Sequence, residues 1–265
     1  MHSSFSLAGQ GAIVSGAGSS NGIGFATAKL LSELGAHVLL TGLSERIFER
    51  RDELNSLGFQ SEAIAADLTT EEGVESVVAA SKNLTRPLRI LVNNAGMTSV
   101  SSSASNLGEA GGILDTSVAG FRRALERNLT SSFGLTKALL PELRNNAPSR
   151  IVFVSSVTGP LMAMKGEVSY AAAKAALTGL TKSLALDFAS EQITVNSVAP
   201  GWIETDSQST SERLNGQATP LKRSGRPEEI ASAIAWLSSP SASYITGQTV
   251  VVDGGNSIQE ERHGD

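Results

Sequence analysis

A chain of 265 residues, 40% hydrophobic and 18% charged, is long enough to bury a sizeable core and polar enough to be an ordinary water-soluble globular protein. A net charge of −5 offers nucleic acid no basic face, no apolar run reaches the roughly 18 residues that cross a bilayer, and zero cysteines exclude disulfides, a thiolate nucleophile and cysteine-ligated zinc. His2, His37 and His263 are scattered, and the opening MHSSFSLAGQG lacks the basic start and apolar stretch of a signal peptide. A cytoplasmic protein with no metal site, and with neither nucleic acid nor membrane as partner, is expected.

In chain order, short apolar runs alternate with longer amphipathic segments. The runs predict strands over 11–15, 36–40, 60–66, 89–94, 150–156, 193–199 and 249–254. Continuous apolarity without a period of two marks strands buried on both faces of a parallel sheet. Helical spacing falls between them, over 22–34, 44–57, 71–84, 117–146, 168–190 and 227–238. Repeated βα alternation predicts an α/β protein, a doubly wound parallel seven-stranded sheet flanked by helices, with right-handed crossovers. No composition shift divides it, so residues 1–265 form a single domain. Two polar stretches interrupt the rhythm at strand ends, TSVSSSASNLGEAGG (98–112) and ETDSQSTSERLNGQATPLKRSG (204–225). Ligands bind beyond the carboxyl ends of strands in open α/β sheets. Segments of about 97–116 and 202–225, the latter with a helix near 206–218, are therefore expected to wall a substrate site.

The first βα turn, SGAGSSNGIGFATA (15–28), carries Gly16, Gly22 and Gly24. Glycine permits the tight turn and lets backbone N–H groups approach a pyrophosphate at a helix N-terminus. Glycine-rich turns are also common connectors, and the strand before and helix after are what favour a cofactor loop. Five residues separate Gly16 from Gly22, while Gly18 lies four positions before Gly22. Either the turn bulges after Gly16, or Gly18 is the position of close approach.

Downstream come NNAG (93–96), SSVTG (155–159), YAAAK (170–174), APGWIET (199–205) and YITGQTVVVDGG (244–255). With the glycine turn, and in this order, these resemble the short-chain dehydrogenase/reductase family across nearly the whole chain. By motif they lie nearest the 3-oxoacyl-carrier-protein reductases. The resemblance implies a Rossmann-type NAD(P)-binding domain with a catalytic tetrad of Asn128, Ser156, Tyr170 and Lys174. It also implies cofactor contacts from Gly16, Gly18, Ser20, Asn21, Gly22, Ile23 and Gly24, with Ser19 beside them as a further phosphate donor. Asp67 and Leu68 fall at the adenine, and Asn94, Ala95 and Gly96 along the groove. Tyr170 and Lys174 fall at the nicotinamide end, as do Pro200, Gly201, Ile203 and Thr205. The family's usual acid after the second strand, which binds a ribose 2′-hydroxyl, is absent from Thr41, Gly42 and Leu43. Ser44 and Arg46 stand there instead, so NADP(H) is expected over NAD(H), with Glu45 as the opposing charge.

Tyr170 and Lys174 are four apart and share a helix face. A cation about 4 Å from the phenol, at an effective dielectric near 20, is worth about 4 kcal/mol, or about three pKa units. On that arithmetic Lys174, with the oxidised nicotinamide, lowers Tyr170 toward the range of a general acid–base. Alone, YAAAKAALTGL reads as an alanine-rich packing helix; Ser156, fourteen residues before Tyr170, is what favours catalysis. The resemblance gives Ser156 the substrate oxygen, Asn128 a water on the proton path, and Lys174 the nicotinamide ribose.

The expected reaction interconverts a small-molecule ketone and its secondary alcohol. A 3-oxoacyl-[acyl-carrier-protein] or acyl-CoA reductase is the rival, and a non-catalytic dinucleotide sensor is the reading from another class. Gly134 and Glu191 stand where carrier-docking arginines are expected, which disfavours the first rival. Trp202, Met162 and Met164 are expected to wall the pocket, and the long helices 117–146 and 168–190 to build a homotetramer.

Overall fold

The computed structural model describes residues 3–96 and 109–260. Seven parallel strands form one sheet: β1 (Gly11–Ser15), β2 (His37–Gly42), β3 (Ser61–Ala65), β4 (Leu88–Asn93), β5 (Ser149–Val154), β6 (Ile193–Pro200) and β7 (Thr249–Val252). Their order is β3-β2-β1-β4-β5-β6-β7, so the direction of winding reverses between β1 and β4. Loops on either side of that reversal diverge and leave a crevice at the carboxyl ends of the strands. Every residue of β1, β5 and β6 is buried, while edge strand β7 is mostly half-buried.

Side chains alternate between two apolar layers. Val14, Leu40, Val92 and Val152 face α1 (Ile23–Glu33) and the later helix Pro227–Ser238, whose Leu31 and Ile234 pack onto them. Ile13, Leu39, Leu91 and Phe153 face the other way, onto Leu135 and Leu177. Between α1 and the latter helices run α2 (Arg46–Ser56) and α3 (Glu71–Ser81), the second begun by Thr70, whose hydroxyl accepts the Gly73 N–H.

The helix expected over 117–146 is instead three consecutive pieces: α4 (Val118–Leu125), a π turn (Glu126–Thr130) and α5 (Ser131–Asn145). The side-chain amide of Asn128 donates to the Ala124 carbonyl at 3.0 Å, competing with the main-chain ladder there, and the ladder widens by one residue. The turn therefore sets the orientation of Asn128. Ser117 caps α4 by accepting the Gly120 N–H.

The third long helix, α6 (Val168–Phe188), runs antiparallel to β5 and β6 and brings its first turns to the crevice. After β6 the chain is irregular until α7 (Thr210–Gln217), shorter than the helix expected over 206–218 because a Ser209/Glu212 capping box starts it late. Pro227 opens α8 (Pro227–Ser238). Among the described residues no helix is long and apolar enough to cross a membrane. Residues 97–108, most of the first expected substrate segment, lie outside those described, as do His2 and His263.

Candidate active site

Gly16 holds the turn that leaves β1, with φ at +69°, a conformation glycine alone adopts readily. A Cβ on it would overlap the backbone of Ala95, and one on Gly24 would overlap the Gly16 carbonyl. Around Gly18, by contrast, a Cβ would meet nothing within 4 Å. Gly16 and Gly24 thus lock the turn against the β4 loop, and Gly18 faces open space. Gly24→Ala is expected to weaken dinucleotide binding at least tenfold, read by quenching of tryptophan fluorescence, because the added methyl must push the turn off β4.

The β4 loop is tied to the same turn. The Asn94 side-chain amide donates to the carbonyls of Ser15 and Gly16, each at 3.0 Å. Ser15 Oγ in turn accepts the N–H groups of Asn94 and Ala95, each at 3.0 Å. Asn93 points into the core and donates to Thr136 Oγ1 at 2.9 Å. α1 begins at Gly22, an N-cap without a side chain, so nothing of the cap covers the first-turn N–H groups. Ser44 and Arg46 sit together at the start of α2, Arg46 Nε donating to Ser44 Oγ at 3.4 Å. The exposed Asp67 carboxylate accepts the N–H and hydroxyl of Thr69, and Leu68 is buried in the core.

β5 is regular to Val154, and its pairing with β6 continues beyond, the Ser155 N–H donating to the Val198 carbonyl and the Val157 N–H to that of Pro200. The hydroxyls of Ser155 and Ser156 point to different partners. Ser155 Oγ donates to the Lys174 carbonyl at 2.9 Å, fixing α6 to the strand end. Ser156 Oγ accepts the Thr158 N–H at 3.1 Å, and its hydroxyl lies near enough to the Tyr170 phenol to lower it. Lys174 Nζ donates to the Val154 carbonyl at 3.0 Å and lies 5.6 Å from the Tyr170 ring centroid. A Cβ on Gly96 would stand 3.0 Å from Asn128 Oδ1 and 3.3 Å from Lys174 Nζ. The four expected catalytic side chains therefore converge beside Gly96. Asn128 Oδ1 is buried without a protein partner, as an acceptor waiting for a bridging water would be.

Burial raises the Tyr170 phenol above its ordinary value, against a lowering by the Ser156 hydrogen bond, and the carboxylates of Glu167 and Glu212 add to the rise. Burial also lowers Lys174, to about 8. Among the protein groups Ser156 rather than Lys174 lowers the Tyr170 phenol, and the expected lowering by Lys174 acting with the oxidised nicotinamide belongs to the bound state. The ammonium is aimed at a carbonyl rather than the phenol, and desolvation dominates both groups.

Several residues at the site had no signal in the sequence. Buried Glu109 accepts Arg127 Nη1 at 2.9 Å and pairs with Arg123 Nε at 3.4 Å, bracing the π turn that carries Asn128. Gly111 N–H donates to the Gly166 carbonyl at 2.7 Å, so the segment after 108 lies against the start of α6. Ser20 and Asn21, together with Ser19, donate to Asp206. Trp202 and Ile203 line a cavity with Leu221, Arg223 and Val252. Met164 is exposed, and Met162 Sδ accepts from the Asn256 side-chain amide. The switch-point crevice, the open floor at Gly18, the uncapped first turn of α1 and the unpaired Asn128 oxygen together fit a bound dinucleotide.

Comparison with known proteins agrees with that geometry. A family profile described as enoyl-(acyl carrier protein) reductase matches residues 16–257. The 3-oxoacyl-[acyl-carrier-protein] reductase FabG of Vibrio cholerae is 42% identical over 253 residues, covering 94% of this chain and 98% of that protein. Oxidoreductase UcpA of Salmonella typhimurium is 35% identical over 266 residues, covering 96% and 97%. Among solved structures, a 7α-hydroxysteroid dehydrogenase complexed with NADH and 7-oxo glycochenodeoxycholic acid superposes with a TM-score of 0.85 at 31% identity, over 98% of this chain and 99% of the other. A putative NAD(P)-dependent gluconate 5-dehydrogenase from Beutenbergia cavernae, with bound NADP at low occupancy, also superposes with a TM-score of 0.85, at 33% identity over 97% and 100%.

Proposed function

Because this chain belongs to the short-chain dehydrogenase/reductase family and is an oxidoreductase using a nicotinamide dinucleotide, we propose that it interconverts a ketone and a secondary alcohol with NADP(H). The observation that carries this reading is the convergence of Ser156, Tyr170, Lys174 and Asn128 beside Gly96 at the strand ends.

The dinucleotide, when bound, supplies or accepts a hydride at its nicotinamide ring. The chain's residues do the rest. Gly16, Gly18, Gly22, Ile23 and Gly24 bring backbone to the pyrophosphate, with Ser20 and Asn21 at the rim. Asp67 and Leu68 meet the adenine, and Asn94, Ala95 and Gly96 line the groove. Pro200, Gly201, Ile203 and Thr205 hold the nicotinamide end, and Lys174 its ribose. Ser156, held by Thr158, keeps the carbonyl oxygen beside Tyr170. In reduction Tyr170 gives its proton to that oxygen. Burial keeps the phenol protonated for this step, and the Ser156 hydroxyl, which lowers it, favours release of that proton. Asn128 and Lys174 return the proton through a water at the unpaired Asn128 oxygen.

The NADP(H) preference rests on the second strand. Thr41 is fully buried, Gly42 and Leu43 carry no acid, and Ser44 with Arg46 offers a hydroxyl and a cation for a 2′-phosphate. The 42% identity to a 3-oxoacyl-carrier-protein reductase keeps a thioester reductase as the second reading. At the expected carrier-docking position Glu191 is engaged by Arg144 in two hydrogen bonds, leaving an ion pair rather than a free cation. Retention of Ser156, Tyr170 and Lys174 speaks against a sensor without turnover. Exposed Phe133 on α5 and Leu186 on α6 support assembly through the long helices into a homotetramer.

NADPH oxidation followed at 340 nm, with acetoacetyl thioester and free ketones in parallel and NADH as control, tests the substrate class. Turnover of free ketones, faster with NADPH, is the expected result. Turnover of the thioester alone would replace it with the second reading.

A further inference from the structure

The turn between Gly16 and Gly22 holds five residues where the family's usual turn holds three, and the extra length reaches across the site. Ser19 Oγ donates to Asp206 Oδ2 at 2.6 Å, Ser20 Oγ at 3.5 Å and the Asn21 N–H at 3.3 Å. The Asn21 side chain donates to the Glu204 carbonyl at 3.1 Å. The partners are up to 187 residues apart in sequence. One set leaves β1 and the other leaves β6, with β4 and β5 between them in the sheet. Three strand spacings of about 4.8 Å put their roots about 14 Å apart. A bridge of that span passes over the β1/β4 crevice.

We propose that Ser19, Asn21 and Asp206 form a clasp over the dinucleotide crevice, and that Asp206 is a positioning residue which must let go before the cofactor can enter or leave. This rests on the dinucleotide reading above. The clasp engages Ser19, Ser20 and Asn21, which are expected at the phosphate, so these donors must leave Asp206 to reach it, while no side-chain cap engages the first-turn N–H groups of α1. Gly18, with nothing within 4 Å of a Cβ, is the open floor beneath it. Asp206 is held below the usual carboxylate range first by the Ser19 hydroxyl, with Arg46 contributing, so it stays ionised at neutral pH and accepts several donors at once. Because Ser20, Asn21 and Asp206 are exposed and Ser19 half-buried, the clasp is light enough to open in each catalytic cycle. The same contact ties the segment leading to α7, on the substrate side, to the turn on the cofactor side.

The test is release of NADPH, and of NADH in parallel, measured by stopped-flow fluorescence. Asp206→Ala is expected to speed release about fivefold to tenfold, the size of one or two lost hydrogen bonds. Asp206→Asn, which keeps an acceptor oxygen, should stay within about twofold of the parent. Ser19→Ala should fall between, and adding it to Asp206→Ala should change nothing further. In the cofactor-free protein Asp206→Ala should also speed tryptic cleavage after Arg213, since the tether to that segment is gone. Unchanged release in Asp206→Ala, or tighter binding in both Asp206 variants, would overturn the clasp while leaving the dinucleotide reading intact. Failure of the unaltered protein to bind either dinucleotide would overturn both.

Discussion

Tyr170→Phe is expected to lower kcat for ketone reduction by about 10³- to 10⁴-fold while NADPH affinity stays within about twofold. The phenol hydroxyl is the proton donor placed beside Ser156, and phenylalanine removes it without altering the ring that packs over Lys174. Ser156 keeps its Thr158 contact, so the carbonyl still has one hydrogen-bonding partner, and what disappears is proton transfer. A loss confined to KM would mean that Tyr170 only binds substrate. Unchanged turnover with intact cofactor binding would remove it from the mechanism.

Lys174→Met should abolish most activity and yet stabilise the fold. Lys174 is buried, its amine lowered to about 8 by desolvation, and among the described residues its ammonium donates to the Val154 carbonyl alone. The unfolded chain holds that proton up to about pH 10.4, so between about pH 8 and pH 10.4 it binds more protons than the folded one. Stability from this group therefore rises with pH across that window. Below it the buried ammonium costs about 3 kcal/mol, partly offset by about 1 kcal/mol from its hydrogen bond. Methionine fills the same volume without a charge. A midpoint about 4–8 °C above the parent at pH 7 is expected, with the gap closing as pH rises toward 10. A lower midpoint at pH 7, or a gap indifferent to pH, would show that Lys174 is better paired than its surroundings suggest. NADPH affinity should fall as well, since the same ammonium is assigned to the nicotinamide ribose.

These two residues also mark where sequence reasoning ended. A spacing of four put Tyr170 and Lys174 on one face of α6, and the motif order carried Ser156 and Asn128 to the same place. Spacing reports direction along a helix but nothing about desolvation, so the rise that burial gives the phenol was outside its reach. The strands were legible because runs such as IVFV (151–154) are apolar without alternation, as a strand covered on both faces requires. The π turn was not, because it arises from a side chain competing for the Ala124 carbonyl, while the flanking residues are ordinary helix formers. Asp206 was hidden for a different reason. Its partners are set by the sheet order, which brings the ends of β1 and β6 to one crevice, and no local pattern encodes that.

The most direct test of the account is transfer of deuterium from NADPH carrying two deuterium atoms at C4 of the nicotinamide to a ketone that the protein turns over. The account predicts one deuterium at the carbinol carbon of the alcohol, delivered by the unaltered protein and reduced to near background by Tyr170→Phe. An alcohol formed without the label, or NADPH bound tightly and never oxidised by any ketone, would contradict it.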